Sequence, residues 1–505
     1  MSASTTLPLS GLVVSIEDEH MPMLVAAGLL RGLGASVCTG EGGADVALAS
    51  STTAAPDTPT ARLTGTTLSD VDGLPSGTLV YASGLALAGA GLLAYLSTDN
   101  VTVDHTAVAA QVLLPLVMAA SYGVVAPQPA APYPVPGGYV SRDLGDDGDR
   151  DAFDRLLDLL GPSTDPRRIA TEAQCWRLPV CAYRTRGRTG AWSDFVANEP
   201  GRNRLSPHDP PRRLTTRYDT GRAARPLAGL VVCDLTAMWA GPLATWLLAE
   251  AGAEVIKVES SVRPDGMRAT DGGGIHPLGS DPSSGGCSAM FNALNRRKRL
   301  ADLDLRGAGG TAEIAELIRR SDLVIDSFSR RVMPNFGLSP LSLRQLNPRV
   351  ATMSMPAFGL DHPTHQVALG PGIHAMTGLG DLGHGEFFAP VVAYPDPLAG
   401  IASFATALAL LIAVHLRRRP EHREVILLDC TASLARRSAP SRRVAQRNPG
   451  LGLQILADRR LARLGSWETI SDGAGVHAYP RSPFVCGGRQ TTTPPSANAP
   501  TVAAQ

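Results

Sequence analysis

A chain of 505 residues exceeds one ordinary compact domain and sets an expectation of two or three, with ample length to bury a core. Lysine plus arginine equal aspartate plus glutamate at 46 each, so no overall field draws the chain to nucleic acid or to an anionic membrane; a bound anion has to be met by local charge. The seven cysteines are scattered, with no CxxC pair and no histidine cluster at metal-ligand spacing, which points to neither a disulfide framework nor a metal site and fits a reducing cytoplasm.

In chain order, the first twenty residues carry no basic stretch before their short apolar run and do not read as a secretory signal. Two longer apolar runs, 108–127 and 399–416, are near the lower length for a membrane span, but alanine, glycine and serine dilute both, and buried helix is the expectation. The chain also repeats itself. LPLSGLVVSI at 7–16 matches RPLAGLVVCDL at 225–235, and GLLRGLGASV at 28–37 matches WLLAEAGAEV at 246–255, both at an offset of 218 positions. Each copy reads as strand, loop, apolar helix, glycine turn and second strand, the opening βαβ unit of a doubly wound parallel sheet. The expectation is therefore an α/β fold, partly duplicated: a degenerate first half over 1–197, a Pro/Arg/Asp-rich linker over 198–225, a fuller second half over 226–434, and a tail over 435–505 that is atypical and partly disordered. The first half lacks a counterpart of the basic segment described next and reads as non-catalytic.

Within the second half, residues 233–259 place Gly241 and Pro242 where a strand turns into a helix; backbone N–H groups there face the positive end of the helix dipole, and a tight turn would need the same glycine. FNALNRRKRLADLDL at 291–305 brings Arg297, Lys298 and Arg299 together, either as guanidinium and ammonium donors for phosphate or as a solvated surface. In LSLRQLNPRVATMSMPAFG at 341–359 a proline ends a helix, and Arg349 precedes a strand, as a phosphate ligand or in an ion pair. ALGPGIHAMTGLG at 368–380 is a glycine-rich loop holding His374, AYPDPLAG at 393–400 puts Asp396 ahead of an apolar helix, and EVILLDCTASL at 424–434 reads as a strand leading to an aspartate.

These segments together, from about 226 to 429 and covering about two-fifths of the chain, resemble the class III CoA-transferase family (CaiB/BaiF), whose members include formyl-CoA transferase, L-carnitine dehydratase and alpha-methylacyl-CoA racemase. The resemblance implies a Rossmann-like large domain, acyl-CoA and a small carboxylic acid as substrates, coenzyme A but no metal, no nucleic-acid or membrane partner, and a homodimer or an intramolecular pseudo-dimer. It places Gly241, Pro242, Arg297, Lys298, Arg299 and Arg349 beside CoA. The family's transferases attack the thioester with a loop aspartate; anchoring on AMTG puts Gly370 at that position, and glycine offers no nucleophile. Asp396 matches the acid that exchanges an α-proton in the racemase branch, with a helix cap or ion pair as its alternative role. His374 is a candidate base or oxyanion partner, or an ordinary loop histidine, and Gly370, Gly372 and Gly378 could offer N–H groups to a thioester oxygen. Three readings stay open: a CoA-transferase, a CoA-ester racemase, isomerase or dehydratase using Asp396, and a non-catalytic CoA-ester-binding or scaffold protein.

Overall fold

The computed structural model describes residues 7–185, 225–268, 288–437, 451–458 and 466–490, with short breaks inside these spans, and Ile275. The expected linker lies outside them except for Arg225.

Five short strands open the chain: β1 (Val13–Ile16), β2 (Ser36–Thr39), β3 (Val46–Ala49), β4 (Thr60–Thr64) and β5 (Val101–Asp104). They pair in parallel in the order β2-β1-β3-β4-β5. β1 and β3 read as apolar runs, as expected where helices cover both faces of such a sheet. One of these helices, Thr78–Ser97, is apolar around its whole circumference and is accordingly enclosed by protein. Gly84 lets it approach the helix Met21–Gly32 closely, since a Cβ there would stand 2.7 Å from the Pro22 carbonyl oxygen. The apolar run expected over 108–127 is two helices, His105–Val112 and Leu114–Tyr122, bent by 81° at a break just before Pro115.

A small antiparallel sheet follows, β6 (Tyr133–Val135), β7 (Gly138–Arg142) and β8 (Val180–Ala182). The helices Asp147–Leu160 and Pro166–Cys175 lie on it around a separate core that includes Phe153, Leu156 and Ile169.

The second half forms a six-stranded parallel sheet from β9 (Val231–Leu235), β10 (Glu254–Glu259), β11 (Arg299–Asp302), β12 (Leu323–Asp326) and β13 (Ala351–Ser354); then, past a hairpin of β14 (Asp381–Gly383) and β15 (Glu386–Phe387), it adds β16 (His422–Glu424). Its order, β11-β10-β9-β12-β13-β16, is that of a doubly wound sheet whose direction of winding reverses between β9 and β12. The α/β class with parallel sheets is as the sequence patterns lead one to expect. Helix Pro395–Arg417 runs through the centre, packed on Ala240–Glu250 and on Thr78–Ser97 of the first half; Gly400 permits the first contact, because a Cβ there would come within 2.7 Å of the Ala240 carbonyl oxygen. Helices Thr78–Ser97 and Pro395–Arg417 are the two that are long and apolar enough to cross a membrane among the described residues, and both are buried in the fold.

Part of the tail, 451–458 and 466–490, falls within the described residues. β17 (Trp467–Asp472) and β18 (Gly475–Pro480) form a hairpin, and β19 (Phe484–Cys486) pairs antiparallel with β5, carrying β20 (Arg489–Gln490) at the edge of the first sheet. Phe484 stacks on Phe404 of the central helix at 5.0 Å between centroids, so this segment closes the core between the halves. Residues 491–505 lie outside the described residues.

Candidate active site

In a doubly wound sheet the crevice beyond the carboxyl ends of the strands, at the point where the winding reverses, is where ligands bind. A cavity of about 1070 Å³ opens at that place. Its wall follows the strand ends in turn: Leu235 to Met238 after β9, Lys257 to Ser260 closing β10, Leu303 to Arg306 after β11, Ser327 to Val332 after β12 and Met355 to Gly359 after β13. Arg177, from the small domain of the first half, and Asp396, at the start of the central helix, complete it.

The charges in this wall divide into paired and unpaired groups. Lys257 Nζ donates to Asp265 Oδ2 at 2.9 Å and to the Thr236 carbonyl at 2.7 Å, Arg268 holds Glu259 at 2.6 Å, and Arg330 forks onto both carboxylate oxygens of Glu424 at 2.5 and 2.6 Å. Arg177, Arg263, Arg306 and Arg331 also line the cavity, and none of them has a side-chain hydrogen bond or ion pair among the described residues. Burial, then the neighbouring guanidiniums of Arg331 and Arg263, pull the Arg177 pKa below its ordinary value. Like charges gathered in this way form an electrostatic socket for an anion such as phosphate.

Asp396 is 8% exposed, and no cation is among the causes that set its pKa. Burial, followed by the charge of Asp143, pushes its carboxyl up to about 7, against smaller opposing hydrogen bonds from the backbone of Asp396 and Gly370. The missing side chain at Gly370 bears directly on this group, since a Cβ at that position would stand 2.1 Å from Asp396 Oδ2 and 2.9 Å from Ala393 Cβ. The Asp396 carboxylate thus fills the space where a side chain at 370 would begin. Gly370→Ala is expected to displace it at a cost of about 1–3 kcal/mol of stability, measured by urea unfolding beside circular dichroism.

The other residues picked from sequence are placed differently. His374 is fully buried, with Nδ1 2.9 Å from the Tyr394 hydroxyl and Nε2 3.0 Å from the Phe388 carbonyl oxygen; burial pushes its pKa down to about 4. It is absent from the cavity wall, and these two partners occupy its ring nitrogens, so the expected base is a neutral core histidine. Arg297 is buried between Glu250 (3.0 Å) and Glu468 (2.7 Å). Lys298 Nζ, with no exposed surface, donates to Asp234 Oδ2, the Pro242 carbonyl, Thr245 and Asn295 at 2.7–3.0 Å. Arg299 pairs with Glu254 at 2.6 Å on the surface, and Arg349 is exposed. None of these four lines the cavity. The reason is topological, because Arg297 to Arg299 enter β11 and Arg349 precedes β13, at the strand ends opposite the crevice. Gly241 packs on Thr236, where a Cβ would meet the Thr236 Cβ at 2.3 Å, and the Pro242 carbonyl is a Lys298 partner; both serve the turn beside the cavity.

Sequence reasoning passed over Arg177, Arg263, Arg306 and Arg331. Their signal was position: Arg263, Arg306 and Arg331 each stand within a few residues after the end of a strand. Arg177 follows a helix of the first half and gave no such cue.

The fold and the cavity define a doubly wound α/β protein with a cationic crevice beyond its strand ends, whose wall includes Asp396 with its raised carboxyl. Residues 227–450 match the family model for CoA-transferase family III. Among curated proteins, the chain is similar to succinate–glutarate CoA-transferase of Agrobacterium fabrum, at 33% identity over 216 residues that cover 41% of this chain and 52% of that one. It is similar also to the succinyl-CoA–L-malate CoA-transferase alpha subunit of Chloroflexus aurantiacus, at 30% over 217 residues, covering 41% and 47%. The chain spans about half the length of these relatives. Among solved structures a CAIB/BAIF family protein from Brucella suis is 26% identical with a TM-score of 0.37, covering 50% of this chain and 65% of that one.

Proposed function

We propose that the protein is an acyl-CoA-processing enzyme, a CoA-transferase that moves CoA from a thioester to a small carboxylic acid, with Asp396 as the reacting carboxylate. The observation that carries this is the position of Asp396 Oδ2 at the head of the crevice, in the space next to Gly370 where the family's loop aspartate would stand. An ionised Asp396 oxygen adds to the thioester carbonyl and the C–S bond breaks, leaving the acyl group on Asp396 as a mixed anhydride and CoA as a thiolate. The thiolate then attacks the aspartyl carbonyl, which releases the first acid as its carboxylate; the second acid enters by the same steps in reverse. Support comes from the match over residues 227–450 and from relatives named for succinyl-CoA and short dicarboxylic acids.

The cationic wall takes the phosphate groups of CoA in this reading, replacing the role expected of Arg297, Lys298, Arg299 and Arg349. Arg177→Glu or Arg331→Glu is expected to raise KM for the CoA thioester roughly tenfold or more, the scale of one charge-assisted contact, with kcat little changed. A KM unaltered in both variants would place the nucleotide elsewhere.

We also take the two halves as a fused pseudo-dimer acting in the cytoplasm. The constant offset of 218 positions favours it, as does the order β2-β1-β3-β4-β5, which repeats that of the second sheet without the β11 edge. A matching pair of helices in each half, meeting at the centre, points the same way.

The deciding experiment mixes an unlabelled acyl-CoA, such as succinyl-CoA, with an isotopically labelled dicarboxylic acid. Label appearing in the CoA ester supports transfer. A second reading, proton exchange at the α-carbon of the bound ester, is favoured by an Asp396 carboxyl that titrates near neutrality. It predicts deuterium wash-in without acyl exchange. Binding with neither reaction would identify a CoA-ester-binding protein.

A further inference from the structure

Asp143 directly follows β7 of the first half, 253 positions before Asp396 in sequence, yet its carboxylate meets the first turn of the second half's helix Gly370–Met376, a segment whose glycines had suggested a loop. The Gly372 N–H donates to Asp143 Oδ2 at 3.0 Å, two residues beyond the Gly370 backbone that hydrogen-bonds Asp396. A Cβ at Gly372 would stand 3.3 Å from the same Asp143 oxygen, just as one at Gly370 would run into Asp396. The segment from Gly370 to Gly372 is therefore bracketed by two carboxylates, one at each glycine, from two different halves of the chain.

The small domain is fastened to this segment at several points, which fixes Asp143 in place. Gln174 exchanges two hydrogen bonds with the backbone of Val367, at 2.7 and 2.8 Å, and the Arg184 N–H donates to the Ala375 carbonyl at 3.0 Å. The groups facing Asp143 are Ser141 on β7, the Gly372 amide, Cys181 and Tyr183 on and just after β8, and Asp396. Those facing Asp396 are Asp143 and the backbone amides of Gly370 and Asp396, while the Lys257–Asp265 pair elsewhere in the cavity wall is self-compensated. Among the described residues neither carboxyl meets a cation. Two such groups sharing a poorly solvated site do not both ionise readily, so they divide their protons as a pair.

We propose that Asp143 is a positioning residue for the active site: its carboxylate acts across the first turn of helix Gly370–Met376 on Asp396 and sets the protonation state in which Asp396 meets the substrate. This rests on the reading of Asp396 as the reacting group. The first half, which lacks the basic segment and reads as non-catalytic in sequence, thereby supplies a component of the second half's chemistry. Burial raises the Asp143 carboxyl to about 7 as well, which fits two groups titrating together near neutrality.

The test follows the extent of labelling of each aspartate by a water-soluble carbodiimide and glycine ethyl ester as a function of pH, read peptide by peptide by mass spectrometry on the full chain. In the wild type the Asp396 midpoint is expected near 7. Asp143→Asn, which keeps an oxygen for the Gly372 amide, is expected to lower that midpoint by roughly one unit, the scale of a single neighbouring charge. Coupling is reciprocal, so Asp396→Asn is expected to lower the Asp143 midpoint as well, and this second variant decides the matter if the first does not fold. Midpoints that stay where they are in the folded variant would overturn the proposal, since a purely structural contact moves stability and not titration. The two readings fail separately: turnover surviving Asp396→Asn removes Asp396 from the chemistry, whereas lost turnover with unmoved midpoints removes only Asp143.

Discussion

Asp396→Asn is expected to lower acyl-CoA turnover roughly a thousandfold, within the range that one positioned acid, base or nucleophile supplies, while KM for the thioester stays within a few-fold of the wild type. Asparagine keeps the shape and the hydrogen-bond acceptor but has no ionisable oxygen. The same change has a signature in stability. Asp143 and Asp396 both titrate in the fold near 7, above the ordinary aspartate value of 3.8, so between those values the folded chain binds more protons than the unfolded one. Stability contributed by these groups is present at low pH and is lost as pH rises from about 4 to about 7. Denaturant midpoints of the wild type are therefore expected to fall over that interval, and those of Asp396→Asn to fall less.

Lys298→Met is expected to cost about 3–5 kcal/mol of folding stability, the penalty for leaving one member of a buried ion pair without its partner. Lys298 and Asp234 have no exposed side-chain surface and meet at 3.0 Å. Burial pulls the Lys298 ammonium down to about 8; burial also pushes Asp234 up, but Lys298, Lys257 and the hydroxyls of Thr236 and Thr245 together hold it below the carboxylate range. The ammonium ties together the β9 strand end, the first turn of helix Ala240–Glu250 and the segment leading into β11. The double variant Asp234→Leu with Lys298→Met is expected to recover much of the loss, because a matched apolar pair leaves no buried charge stranded. Urea unfolding of the wild type and the two variants checks this. A single Lys298→Met variant as stable as the wild type, with weakened CoA binding, would return Lys298 to the ligand role its sequence context implies.

How far the sequence could be read depended on whether a property belongs to a run or to a position in space. The GLVV run announces β9 because burial on both faces of a parallel sheet demands continuous apolar residues, and the repeat at 7–16 announces β1 in the same way. β17 to β19 were not legible, since the hairpin is half polar and β19 owes its place to a distant partner, β5. Asp396 was found through its neighbours in AYPDPLAG. The run Arg296 to Arg299 drew notice as a charge cluster, yet it enters the sheet at the strand ends away from the crevice, where Glu250, Glu468, Asp234 and Glu254 neutralise much of it. Of the arginines that line the crevice, Arg263, Arg306 and Arg331 follow strand ends and Arg177 follows a helix, and only the fold brings them to one cavity. Asp143 had no sequence signal, because its role comes from a contact between halves.

The most direct test of the account traps the acyl-enzyme. The protein is incubated with succinyl-CoA, quenched with hydroxylamine and digested, and the peptides are mapped by mass spectrometry. An aspartyl hydroxamate is expected at Asp396 and is expected to be absent from Asp396→Asn. Sustained transfer of CoA with no modification at Asp396, or with the modification on another carboxylate, would contradict it.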